Sequence, residues 1–257
     1  NGEGLRIDGG DSNLVESNTI ANKGNGASKD GFLIQTAANF NIVRWNSISG
    51  SGRFGVFITS TADSNLFAEN RITAGLDDGV EIEGAGNLFT NNLVAGNTFG
   101  DGISLYNASD NEVIGNQVSG NRDYQIRIIS GSSTTEITKN NLLPSGSNPD
   151  SSLFSADTVG RNVFRNWWGT ADSAVIRSRF AGIGADSVAF IPYRLDIVDT
   201  APNADTVAPN APDTVVATAL SETAILVSWA TTTGSEEPEA AAGPMGYIVY
   251  RSSTPET

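Results

Sequence analysis

"GVFITSTADSNLFAENRI", residues Gly55 to Ile72, decides how this chain is read. Its first half alternates with period two: Val56 and Ile58 face one way along an extended backbone and Phe57 faces the other. Its second half runs from Asn65 to Asn70 and is followed two residues later by an aliphatic side chain, Ile72. The pattern then returns as "GVEIEGAGNLFTNNLV" from Gly79 to Val94.

Extending outward gives six copies. The first signature reads "GLRIDG" from Gly4, "GFLIQT" from Gly31, "GVFITS" from Gly55, "GVEIEG" from Gly79, "GISLYN" from Gly102 and "QIRIIS" from Gln125. The second reads "NLVESN", "NIVRWN", "NLFAEN", "NLFTNN", "NEVIGN" and "TEITKN", ending on Asn18, Asn46, Asn70, Asn92, Asn116 and Asn140. The period stays close to 24 residues, and no window keeps a helical spacing. Units this short, with apolar positions in register, cannot close a core singly and must stack. The predicted fold class is therefore all-β, a parallel β-helix in which each repeat is one coil and successive coils lie about 4.8 Å apart. Apolar ladders fill its axis. The terminal Asn of each signature is expected to stack on its neighbours as a structural amide ladder, and Asn also tolerates the left-handed backbone of tight corners.

Composition narrows the function classes. The 257 residues include no Cys and no His, which removes disulfides, thiolate metal sites and His-based acid–base chemistry. A net charge of −14 opposes phosphate backbones and anionic lipid, so nucleic acid is not an expected partner. No apolar run reaches the roughly 20 residues of a membrane span, and membrane insertion is not expected. Because the sequence opens on Asn1 and stops at Thr257 within an apparent domain, it reads as a monomeric piece of a longer polypeptide.

These coils resemble the right-handed parallel β-helix repeat family, a superfamily that includes pectate lyases, polygalacturonases, phage tailspikes, alginate epimerases and NosD-like periplasmic proteins. The resemblance covers residues 1–199 and implies an extracellular, cell-surface or periplasmic setting. "RNVFRNWWGT" (Arg161 to Thr170) is a seventh copy of the second signature, ending on Asn166, with Trp167 and Trp168 replacing a small polar and an aliphatic residue. Such an ending resembles a C-terminal cap over the open end of the stack. The alternative reading makes Trp167 and Trp168 an aromatic platform for sugar. "TADSAVIRSRFAG" is predicted as a short helix capped by Thr170 or Asp172, with Gly182 just beyond it, and "SVAFIPY" (Ser187 to Tyr193) as one last strand.

From residue 200 to 213 a Pro-rich linker is expected. Residues 214–257 resemble the first half of a fibronectin type III-like sandwich, with Trp229 in its core and Tyr247 to Arg251 on its third strand. The acidic stretch Ser235 to Pro244 reads as an enlarged, solvated turn, and the sequon at Asn107 is assigned no role.

In β-helix enzymes the resemblance places catalysis on the outer face of one sheet. Outward positions of the first strand run Arg6, Leu33, Phe57, Glu81, Ser104 and Arg127 in one column and Asp8, Gln35, Thr59, Glu83, Tyr106 and Ile129 in the next. Catalytic candidates are Glu81, Glu83, Asp101, Tyr106 and Arg127, with Glu81 and Glu83 about 6.5 to 7 Å apart by strand rise. Asp78 and Asp101, each just before its coil's Gly, are metal candidates that could share a Ca²⁺; no cofactor is required. Against catalysis, the paired Asp, His and Arg-Lys set of polygalacturonases is incomplete without His. A lyase would have only Arg127 as proton acceptor. The expected role is thus a secreted or surface scaffold of adhesin type that contacts polysaccharide or cell-surface glycan. The alternative is a polysaccharide lyase or glycoside hydrolase working on the first-sheet face.

Overall fold

The computed structural model describes residues 2–21, 29–129, 131–132, 134–144, 152–156 and 158–198, together with the backbone of Val216–Ser221, Ala224–Ser228 and Glu239–Ala240. Three parallel sheets wind round one axis in about seven turns. The first has eight strands, from Leu5–Asp8 through Val56–Ile58 and Val80–Ile82 to Phe180–Ala181. The second and third have six each, beginning at Leu14–Glu16 and Thr19–Ala21. Register follows the sequence repeat: Val56, Val80 and Ile103 pair in line, as do Phe57, Glu81 and Ser104.

Alternation explains the core. Inward residues of the first sheet (Phe32, Val56, Val80, Ile103), of the second (Val43, Phe67, Phe89, Val113) and of the third (Ile48, Ile72, Val94, Val118) are nearly or wholly inaccessible. Phe67 and Phe89 stack with ring centroids 4.6 Å apart, as a parallel ladder of identical side chains allows.

The corners carry the polar cost of this winding. Each Asn from Asn18 to Asn140 donates its backbone N–H and its Nδ2–H to the Oδ1 of the ladder Asn one coil on, ending at Asn166. From Asn46 onward a further Nδ2 bond reaches a strand carbonyl of the preceding coil, Val43 for Asn70 and Phe67 for Asn92. A second ladder, on the opening Asn of the first five signatures, runs Asn13, Asn41, Asn65, Asn87 and Asn111. Asn97 and Asn121 make a shorter third one.

The left-handed residue is not the ladder Asn, as expected from its tolerance, but the residue before it: Ser17, Trp45, Glu69, Asn91, Gly115, Lys139 and Arg165 all have positive φ. That inversion turns the chain and aims the next amide along the axis; Asn is present for its amide, not its backbone freedom.

The last coil departs from the repeat. Trp168, fully buried, stands where Leu142 stands one coil earlier, and contacts Phe180 at 4.9 Å between centroids. Phe180 in turn meets Phe190, and Phe190 meets Tyr193. Arg161–Asn162 leaves the second sheet and pairs with Val188–Ala189. The helix is shorter than predicted, Ser173–Ser178, and Asp172 rather than Thr170 caps it by accepting from the N–H groups of Ala174 and Val175. Gly182 does not end it, because Phe180–Ala181 has already rejoined the first sheet. A Cβ at Gly182 would fall 2.1 Å from the Ser155 carbonyl oxygen. The predicted strand from Ser187 to Tyr193 is instead two, Val188–Ala189 and Tyr193–Arg194, because Pro192 has no N–H to continue a ladder.

Beyond residue 198, Val216–Ser221 and Ala224–Ser228 pair antiparallel, and Glu239–Ala240 pairs with Tyr193–Arg194. The expected linker at 200–213, Trp229 and the strand from Tyr247 to Arg251 lie outside the described residues.

Replacing Asn92 by Ala removes the acceptor of two donors from Asn70 and one of the donors to the Phe67 carbonyl, in a site 1% exposed. A loss of about 3 kcal/mol is expected in urea unfolding. By contrast, Lys139→Gly relieves an exposed left-handed residue at φ 56° and should leave stability unchanged or raise it by about 0.5–1 kcal/mol.

Candidate functional site

The outer face of the first sheet is covered where a flat strand face would be open. Leu33, Glu81 and Ser104, all outward by alternation, are 5, 9 and 1% exposed. The segment before each coil's Gly folds over that column: Phe54 meets Phe57 with ring centroids 5.2 Å apart, and Asp78 bonds Glu81.

An Asp precedes several of these glycines, and its carboxylate ties coils together. Asp78 Oδ1 accepts the N–H of Asp101 at 2.6 Å, Asp101 Oδ1 accepts that of Tyr124 at 2.8 Å, and Asp30 Oδ1 accepts that of Phe54 at 3.3 Å. What balances each charge differs. Asp30 is clasped by both Nε and Nη2 of Arg53. Asp101 has a longer contact, 3.4 Å, to Arg127 Nη1. Among the described residues no cation pairs with Asp78, which shares a hydrogen bond with Glu81; Glu81 also bonds Ser104.

Burial sets the titration. It pushes the Asp101 carboxyl up to about 7, the Asp78 charge adding to the shift while the Tyr124 N–H and Arg127 oppose it. Burial likewise raises Asp78 and Glu81; the Asp101 N–H opposes the rise at Asp78 while the bond to Glu81 adds to it, and the bonds to Ser104 and Asp78 oppose the rise at Glu81.

Asp78, Glu81, Asp101 and Arg127 thus come together, lining a groove of about 300 Å³ with Phe54, Asp77, Phe99, Ser104 and Asp123 among others. Glu83 and Tyr106 do not line it; they stand in the second outward column, and Tyr106 is 47% exposed. The carboxylate pair in contact is accordingly Asp78 with Glu81, not Glu81 with Glu83. Phe54, Phe99 and Asp123 escape a reading of strand positions because they lie on the covering segments. The column of residues preceding each glycine, Asp30, Phe54, Asp78 and Asp101, is the sequence signal that marks those segments.

A Ca²⁺ needs six to eight oxygens. Among the described residues no three Asp, Glu, His or Cys side chains gather closely enough to hold a cation, and Asp78 and Asp101 each spend an oxygen on a backbone N–H. These residues do not fit the ion. Trp168 has no exposed surface to offer a sugar, which corrects the platform reading for that residue; Trp167 is partly exposed.

Because folding raises the pKa of Asp78, Glu81 and Asp101, their contribution to stability is complete below the unfolded values near 4 and is lost as pH rises through the folded ones, about 7 for Asp101. The unfolding midpoint should therefore fall between about pH 5 and pH 8. Asp101→Asn, which keeps an acceptor for the Tyr124 N–H, should flatten that fall.

Among solved structures the chain is similar to the periplasmic alginate epimerase AlgG, at 19% identity and a TM-score of 0.55, over 76% of this chain and 47% of that one. It is similar in the same way to an AlgG double mutant, at 18% identity and a TM-score of 0.56, over 76% and 48%. The chain spans about half the length of these proteins, and identities this low show a common fold. Among curated proteins nothing matches. No helix among the described residues is long and apolar enough to cross a membrane. Right handed beta helix region is the family that matches residues 1–142, more than half of the 257, and the chain, with its three parallel sheets, belongs to it.

Proposed function

We propose that this chain is a rigid scaffold that binds polysaccharide through the groove on its first sheet and does not turn it over. One observation carries this reading: the carboxylates of the groove are committed to the fold. Asp78 and Asp101 each accept a backbone N–H of the next coil, and Asp78 and Glu81 bond to one another. Hydrolysis by a carboxylate pair needs about 5 to 9.5 Å between the two groups, with sugar between them. A hydrogen-bonded pair leaves no such gap. A lyase or epimerase of uronates must neutralise the sugar's carboxylate, yet here Arg127 faces Asp77, Asp78, Glu81, Asp101 and Asp123. Binding is supported by the exposed ring of Phe99, backed by Arg122 at 5.2 Å, beside these acceptors.

The same reading takes the Trp168, Phe180, Phe190 and Tyr193 cluster as a plug over the open end of the stack. It takes residues 214–257 as the start of a fibronectin-like module that spaces or anchors the rod, and the setting as extracellular, cell-surface or periplasmic. The alginate epimerase likeness supports a carbohydrate setting and no more.

A panel of polysaccharides, with and without added Ca²⁺, tests this by retention on immobilised glycan together with unsaturated-uronate absorbance and reducing ends. Retention without product, independent of Ca²⁺ and weakened about tenfold by Phe99→Ala, is expected. Product that disappears in Glu81→Gln or Arg127→Ala would establish an enzyme and overturn the proposal.

A further inference from the structure

The corner between the second and third sheets recurs once per coil, and a left-handed residue occupies each copy. Ser, Glu, Asn, Gly, Lys and Arg fill six of the seven; Trp45, at φ 56°, fills the other. A bulky aromatic is the least suited of these to that conformation. Core packing does not explain it, since the side chain turns outward and the residue is 48% exposed.

The ring is nevertheless fixed. The Arg44 guanidinium lies 4.2 Å from its centroid and is itself clamped by Glu16, through Nε at 2.9 Å and Nη2 at 2.8 Å. Trp45 Nε1 donates to Glu69 Oε2 at 2.8 Å. An indole plane held by a cation and by a carboxylate is preorganised, and the surface it presents is open to solvent.

Beside it runs a groove of about 210 Å³, lined by Glu69, Arg71, Asn91, Leu93 and Gln117. Arg71, Leu93 and Gln117 share one register across three strands of the third sheet. Among the described residues, no hydrogen bond or ion pair engages the side chains of Arg71, Asn91 or Gln117. Asn91 is seated over Gly115, where a Cβ would meet its Oδ1 at 2.5 Å. A fixed aromatic plane flanked by a free guanidinium and two free amides suits a pyranose: its C–H face lies on the indole and its hydroxyls meet planar donors and acceptors.

Charge selects among sugars. Glu16 pairs with Arg44, and the Arg71 guanidinium, unpaired among the described residues, shares its groove with the Glu69 carboxylate, so this patch carries no net charge on a chain of net charge −14. A polyuronate would find no surplus cation here. From Trp45 on the second coil to Gln117 on the fifth is three coil spacings, about 14 Å, the scale of a short oligosaccharide.

We propose that the Trp45 corner is a second glycan subsite, separate from the first-sheet groove, that takes a neutral oligosaccharide. This inference rests on the reading of the chain as a glycan binder. The probes are β-linked neutral oligosaccharides (cello-, xylo-, manno- and chito-hexaoses) and an alginate hexamer, titrated against the full chain while tryptophan emission and retention are followed. Trp45→Ala, Gln117→Ala and, for the other face, Phe99→Ala are compared, each checked for fold by circular dichroism. A neutral oligosaccharide that shifts the emission, with affinity lost about tenfold or more in Trp45→Ala and several-fold in Gln117→Ala but kept in Phe99→Ala, is expected. Binding lost only in Phe99→Ala, or seen with the alginate hexamer alone, would overturn the inference and leave the chain a glycan binder. Binding of no probe would overturn both.

Discussion

Everything in this rod depends on how buried corners satisfy their polar groups. A coil that turns three times brings backbone N–H groups under cover at each bend, where an unpartnered donor costs about 1–3 kcal/mol. The Asn amide meets that need with one side chain. Its oxygen accepts two donors from the coil before, and its nitrogen donates to the coil after and to a strand carbonyl, as Asn92 does between Asn70 and Asn116. With the corners locked, strand register is fixed, and the Phe, Val and Ile columns fall into line beneath them. The left-handed residue before each Asn is the geometric condition for the bond, which is why residues as unlike as Lys139 and Trp45 are held in that conformation.

The same economy governs the face that resembles a catalytic one. Asp30, Asp78 and Asp101, just ahead of the first-sheet strands, do what Asn does at the corners, accepting the N–H of the next coil. Where Arg53 is near, the charge is balanced; at Asp78, which no cation among the described residues pairs, burial pushes the carboxyl up to about 7. Raised carboxyl pKa values here follow from burial of a structural residue, and perturbed titration alone is a weak sign of chemistry.

The fold was legible because its signals are local and periodic. Gly55, Val56, Ile58 and Asn70 announce strand, face and corner within a few residues, and the seven Asn endings place the ladder. The second ladder was equally present in the opening Asn of the first five signatures, Asn41 and Asn65 among them, but a residue type shared by loops and turns does not declare that it is buried. The site was less legible because it is assembled from segments between the strands. Alternation put Glu81 and Glu83 on one face, but only the path of the covering segment decides that Glu81 is enclosed and Glu83 is not. Phe180 belonged by pattern to a helix; the open edge at Leu153 gave it a better place in the first sheet.

The most direct test of the ladder's primacy is native-state hydrogen exchange of the corner amides. If the amide ladder holds the coils, the backbone N–H groups of Asn70, Asn92 and Asn116, each bonded to the next coil's Oδ1, should exchange only through global unfolding, as slowly as those of Val80 and Ile103 in the first sheet. Exchange of these three by local opening, far faster than the strands they adjoin, would mean that core packing alone sets the register and that the ladder is incidental.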